Sequence, residues 1–328
     1  MKLKSKITLT FLTVVLLGMT VLMVFGYLYG KHLLEKEAFN HLTSVRENKA
    51  AQIEDYFQNL KIEMEMYSHD PTLLIAAEEF IDAFHQIDEE FINQKVKSLD
   101  TSKLRNYYTE IFLPRLNEND DVLHSVDEYL PGNKKSAFLQ QCFIAENPYE
   151  LGRKDSLFEC RITDSRYSRI HSQYHQYFRR IIKSFGYYDL FIIDASGNIV
   201  YSVFKETDYA TNLLGGPYSE TGLALAFNGV MENQKTILID FKAYPPSYNA
   251  AASFIATPIY IDEALIGVFA MQVPIDEIEA VMTGQYRWEK EGLGKSGETY
   301  LVGEDQLMRN NSRFFIEDRD NYFYLIRS

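Results

Sequence analysis

The longest apolar feature of the chain is an uncharged run over residues 7–29, rich in Leu, Val, Phe and Met. At about 1.5 Å per residue, a helix of that length crosses the roughly 30 Å hydrocarbon core of a bilayer. The run exceeds the roughly 7 to 15 apolar residues of a signal-peptide core, and Leu28 and Gly30 do not form a small-x-small cleavage site. It therefore reads as an uncleaved anchor. Beyond it, Leu34, Ala38, Leu42, Val45, Lys49, Ile53, Tyr56 and Leu60 recur at intervals of three and four, with Lys49 the one polar member of the stripe. This spacing predicts a single long helix continuing out of the membrane.

Asp70-Pro71 reads as an N-cap followed by proline at the first helical position, and it opens a second helix with Leu74, Ala77, Ile81, Phe84, Ile87 and Phe91 as its buried face. Thr101 or Ser102 caps a third helix, which Pro114 is expected to end. After an acidic loop (residues 117–121) and the Pro131-Gly132 turn comes a short helix near residues 137–146. The last helix runs from about Ser165 to Phe185, with Gly186 as its C-terminal glycine. There the period changes. Residues 187–193 and 199–204 are β-branched and aromatic runs joined by Asp194-Ala195-Ser196-Gly197-Asn198, which is a hairpin signal. A short helix near 223–231, strands near 236–241, 253–261 and 265–273, and a closing helix over 274–282 complete the series. The fold class is α+β, and hairpin, helical crossing and three antiparallel strands is the order of a PAS-like sheet. Both hairpin strands are apolar on both faces, so the sheet is expected to be covered on both sides.

Composition narrows the function. Hydrophobic residues make up 46% of the 328, ample for real cores. Residues 1–30 carry only Lys2, Lys4 and Lys6, which leaves 46 acidic against 30 basic side chains in the remainder, a net of −16. That balance argues against a nucleic-acid partner, which needs a clustered basic face. The three lysines before the span, against Lys31 and Lys36 interleaved with Glu35 and Glu37 after it, favour a cytoplasmic N-terminus and a chain otherwise outside the cell membrane. Cys142 and Cys160 sit outside any metal-type spacing; a disulfide and two buried thiols both remain open.

Four stretches resemble the double Cache sensors of bacterial transmembrane receptors, namely chemotaxis receptors, sensor kinases and membrane adenylate or guanylate cyclases. They are Val45-Arg46-Glu47-Asn48-Lys49-Ala50-Ala51-Gln52-Ile53-Glu54, Tyr187-Tyr188-Asp189-Leu190-Phe191-Ile192-Ile193-Asp194, Val200-Tyr201-Ser202-Val203-Phe204-Lys205-Glu206 and Gly294-Lys295-Ser296-Gly297-Glu298-Thr299-Tyr300-Leu301-Val302-Gly303. The resemblance covers nearly the whole chain, in the variety with a large helical insertion before the membrane-distal sheet. It implies a sheet pocket for a small molecule, homodimerisation along the long helices, and a second span leading to a HAMP helix pair. The expected organisation is an anchor over 1–30, a long helix and helical region over 31–185, a membrane-distal Cache sheet over 186–284, and over 285–328 a linker with the first hairpin of an incomplete second module. Two departures stand out: the chain stops at Ser328 inside that module, and the arginine-tryptophan-tyrosine signature of amino-acid-binding members is missing, since the sole tryptophan, Trp288, lies in the linker.

Gly292-Leu293-Gly294-Lys295-Ser296-Gly297 spells a dinucleotide motif, yet a strand (residues 299–302) rather than a helix is expected after it, so the context opposes nucleotide binding. Tyr167, His171 and His175 share one helix face; the histidines are either hydrogen-bonded in the core or line a pocket, and no accompanying motif supports a metal. Lys205, Glu206 and Asp208 form either a solvated turn or the mouth of the pocket. Tyr201, Tyr218, Asp240, Tyr244 and Tyr248 fall where PAS-like folds border a pocket, and tyrosines with a carboxylate suit a small polar or cationic ligand. Asp240 is expected on a covered face, with Lys205 as counter-charge. No catalytic constellation, cofactor motif or nucleophile elbow is present. The expected function is the small-molecule sensing input of a membrane receptor rather than an enzyme; the alternative is a membrane-tethered binding protein without output.

Overall fold

The computed structural model describes residues 3–88, 92, 101–120, 122–162 and 164–327. Phe91 and Asp121, which the sequence placed on the second helix and in the acidic loop, lie outside them. The chain divides into two compact units, one of Tyr56–Ile278 with Val302–Arg309, the other of Met1–Asp55, Glu279–Leu301 and Asn310–Ser328.

Helix α1 (Leu3–Tyr67) is 65 residues long and contains the one stretch, among the described residues, that is long and apolar enough to cross a membrane. Within the unit that contains this stretch the polar member of its stripe finds a use. Lys49 is buried, and its Nζ donates to Val281 O at 2.7 Å and pairs with Glu291 at 2.8 Å. The same unit holds α10 (Arg313–Glu317) and α11 (Arg319–Arg327).

In the larger unit, α2 (Pro71–His85) starts as its sequence dictates, Asp70 accepting from Leu73 N at 2.9 Å with Pro71 at the first helical position. Its buried face is Leu73, Ala76, Ala77, Phe80, Ala83 and Phe84, while Leu74 and Ile81 are only half-buried. The expected stripe is therefore rotated by one residue, because α2 packs on α7 as well as on β2 and β4. Pro114 does not end a helix. After α3 (Ser102–Tyr107) the chain makes a π turn over Tyr108–Phe112 and continues without a break as α4 (Leu113–Glu118), with the proline directly after the π turn. Then come α5 (Val126–Tyr129), α6 (Lys134–Gln140), a second π turn over Gln141–Ala145, and a 3-10 turn at Lys154–Ser156. A Cys142–Cys160 disulfide ties that second π turn to the approach of α7 (Arg166–Phe185). Ser165 caps α7, and Gly186 ends it at φ +74°, a left-handed conformation that favours glycine.

Five antiparallel strands follow in the order β2-β1-β5-β4-β3: β1 (Asp189–Asp194), β2 (Ile199–Ser202), β3 (Ile237–Tyr244), β4 (Ala250–Ile261) and β5 (Ala264–Val273). Helix α8 (Gly222–Asn233) lies between β2 and β3 in sequence and packs on β3, β4 and β5, whereas α2 and α7 pack against β1, β2 and β4. Every residue of β1 and β2 is buried, so the doubly apolar hairpin is covered on both faces. Gly267 on β5 sits so close to β1 that a Cβ there would lie 2.2 Å from Ile193 O. Helix α9 (Ile275–Thr283) leaves the sheet directly.

The strand expected over residues 299–302 is reduced to a bridge between Val302 and Met308. An isolated two-stranded pairing is marginal by itself. This turn is held instead by Arg309, whose guanidinium binds Asp240 with two hydrogen bonds (2.9 and 2.7 Å) and Asp305 with one.

Candidate functional site

A recess of about 230 Å³ opens in the larger unit beside the chain that leaves β2. Its walls are Tyr107, Phe112, Tyr188, Phe204, Pro246 and Tyr248; Lys154, Glu206 and Thr207 supply its polar part. The local sequence explains how β2 delivers these groups. Asp189, the first residue of β1, is buried, and its Oδ1 accepts from the backbone N–H groups of Leu190 (2.7 Å), Val203 (2.9 Å) and Phe204 (3.1 Å). One carboxylate thus fixes the turn that carries Phe204, Lys205 and Glu206. Gln140 and Tyr108 extend the support: Gln140 Nε2 donates to Thr207 O (2.9 Å) and Tyr209 O (2.8 Å), and Tyr108 donates to Gln140 at 2.8 Å.

Beneath the recess lies a concentration of buried charge. Glu206 accepts from Ser247 Oγ at 2.9 Å and from the Tyr188 hydroxyl at 3.4 Å. Asp208 accepts from the Tyr244 hydroxyl, and Tyr218 donates to Thr207 Oγ1 at 2.7 Å. Lys154 donates to the Tyr107 hydroxyl, with its ammonium 4.3 Å from that ring's centre. Asp189 Oδ2 and Asp208 Oδ1 are both buried without a partner. Burial, followed by the mutual repulsion of the acids, pushes Asp189 and Glu206 well above the carboxylate range, and burial raises Asp208 to about 6. Burial also holds Lys154 and Lys205 below the ordinary lysine value.

The sequence-chosen residues separate into four places. Tyr248 lines the recess; Tyr218 and Tyr244 stand behind it on Thr207 and Asp208. Lys205 is 1% exposed, and its ammonium donates to Ser202 O within an aromatic enclosure of Tyr201 (4.2 Å), Tyr209 (5.1 Å) and Phe143 (5.8 Å). His171 and His175 adjoin that enclosure, stacked at 4.3 Å. His175 Nε2 donates to Asp155 O at 2.7 Å, so its Nδ1 accepts from the Tyr201 hydroxyl at 2.6 Å, and both nitrogens are used. His171 Nδ1 donates to Phe158 O at 2.7 Å. Burial is the largest cause depressing both histidines, His175 to about 2.

Asp240 stands apart from all of these, in two respects contrary to expectation. Its side chain is 53% exposed rather than covered, and its counter-charge is Arg309, not Lys205. The cause is a register shift in β3 between Ile239 and Lys242, which breaks the period of two on which its placement rested. Asp189, Lys154, Tyr107 and Thr207 carried no site signal in the sequence. Asp189 begins an apolar strand and Lys154 sits in a charged loop, and only the tertiary fold sets them under one recess.

No protein-family model matches the chain, and no curated protein matches it. Among solved structures it is similar to the sensor domain of the Vibrio cholerae histidine kinase DctB (15% identity, TM-score 0.29, 54% of this chain and 58% of that one). It is also similar to the ligand-binding domain of the Pseudomonas fluorescens chemoreceptor CtaA solved with L-serine (15%, TM-score 0.29, 64% and 73%) and to the sensory domain of Campylobacter jejuni Tlp3 (10%, TM-score 0.30, 72% and 77%). All three are receptor sensor domains. The match spans well under two thirds of the DctB domain's length.

Proposed function

We propose that the larger unit binds a small organic ammonium ion in the recess above Glu206 and Asp208, and that the chain is the extracytoplasmic sensing input of a membrane receptor. The observation that carries this reading is a set of buried carboxylates with unused acceptors. Asp189, Glu206 and Asp208 are buried together with Lys154 and Lys205, burial favours their neutral forms, and among the described residues Asp189 Oδ2 and Asp208 Oδ1 have no hydrogen-bond donor. A bound cation with N–H donors supplies the missing hydrogen bonds and stabilises the ionised carboxylates, and tyrosine and phenylalanine walls suit it through cation–π attraction. The Cys142–Cys160 disulfide favours an oxidising compartment, and the apolar start of α1 provides the anchor. Homodimerisation along α1 and a kinase, cyclase or chemotaxis output belong to the same proposal. Calorimetric titration of the full chain with 1-aminobutane tests the site. Wild type is expected to bind, and Asp208→Asn to weaken binding at least tenfold while melting cooperatively; equal affinities would remove Asp208 from the site.

A further inference from the structure

A second recess, of about 400 Å³, shares Tyr188 and Phe204 with the first and is otherwise lined by different residues, among them Ser247, Ala250, Gln272 and Asp276. The two shared rings are stacked, 5.9 Å apart at 29°, and form a partition between the recesses. Among the described residues that line the second recess there is no lysine or arginine. Its polar wall is Gln272, 5% exposed, with its side-chain Oε1 buried and unpartnered. Gln272 is the cross-strand partner of Asp189, and the Ser247 hydroxyl donates a hydrogen bond to Glu206, so both polar walls of this recess connect to the charged cluster beneath the first.

A buried amide oxygen left unpaired is costly, and a ligand donor offsets that cost. With an exposed carboxylate, a hydroxyl, a buried carbonyl oxygen and aromatic walls, the chemistry selects for a donor-bearing group and against an anion. We propose that the second recess is a subsite for the far end of an elongated ligand: an aliphatic ammonium whose other terminus carries a second N–H donor, bound by Gln272 across the Tyr188–Phe204 partition. This inference rests on the ammonium site of the first recess and adds length and a second terminus to the ligand.

The test compares 1,4-diaminobutane with 1-aminobutane by calorimetry on the full detergent-solubilised chain. Wild type is expected to bind the diamine about tenfold more tightly, the range of one hydrogen bond from a charged donor. Gln272→Leu is expected to abolish that preference and leave 1-aminobutane binding unchanged. Gln272→Glu, which retains a polar side chain of the same size, is expected to enlarge it. If 1-aminobutane binds and the diamine binds no better, or if the preference survives in Gln272→Leu, the second subsite is wrong and the first stands. If neither amine binds wild type, both are wrong.

Discussion

His171 and His175 are enclosed neutral, and the direction of their titration has a measurable consequence. His175 has its folded-state value lowered to about 2 from an ordinary value near 6.5. The stability it contributes is complete above pH 6.5 and is lost as pH falls, by about 1.4 kcal/mol per pH unit, because the unfolded chain takes up a proton that the folded chain refuses. Asp208 acts in the opposite sense: raised to about 6, it favours the folded state increasingly as pH falls from 6 toward 4. A comparison with His175→Gln isolates the histidine. Between pH 6.5 and 5 wild type should lose about 2 kcal/mol more unfolding free energy than the variant in urea titrations. Parallel pH profiles would mean that His175 is solvated. At this scale the shared helix face of Tyr167, His171 and His175 was legible, but their spacing left a hydrogen-bonded core position and a pocket-lining one both open; the structure buries both histidines and hydrogen-bonds them. Asp240 was misplaced because a bulge leaves no trace in hydrophobic alternation, and Asp189 went unnoticed because its role is to gather three backbone N–H groups contributed from both β1 and the end of β2.

Elements with local determinants were readable. Asp70-Pro71 starts α2 and Ser165 and Gly186 bound α7, since capping is decided within a few residues. The two π turns were not readable, and they matter because one of them bears Cys142. Its disulfide closes a loop of 18 residues that contains Lys154 and Asp155. Loop-closure entropy assigns such a link about 3 kcal/mol. Cys142→Ser/Cys160→Ser is accordingly expected to lower stability by about that amount in denaturant titrations. Because Lys154 lies in the loop and competes with an ammonium ligand for the same carboxylates, the same variant should also bind 1-aminobutane more tightly at a temperature where it remains folded. Unchanged affinity in the folded variant would separate the disulfide from the recess. The long apolar helix and the order of the strands along the chain belong with the legible features. The helical end of the chain, α10 and α11, does not, since the glycine-rich stretch before it predicts only a turn and a strand.

At the scale of the whole molecule, the proposed sensing role draws together a lysine-flanked apolar helix, an acidic remainder with net charge −16, a disulfide and a sheet with a charged recess. The topology has its own check: a reporter active only in the periplasm, fused after Gly186, should be active, and activity of a cytoplasmic reporter at that position would invert the orientation. The central claim is that the recess binds a cation through buried carboxylates that lack hydrogen-bond donors, and pH-dependent binding tests it most directly. An ammonium ligand favours the ionised form of Asp208, which burial holds protonated up to about 6. Calorimetric titration with 1-aminobutane, itself charged throughout the range, should therefore give an affinity that rises about tenfold or more from pH 5 to pH 7, with proton release on binding near pH 6 and a flattened profile in Asp208→Asn. An affinity independent of pH, with no proton released, would contradict the account.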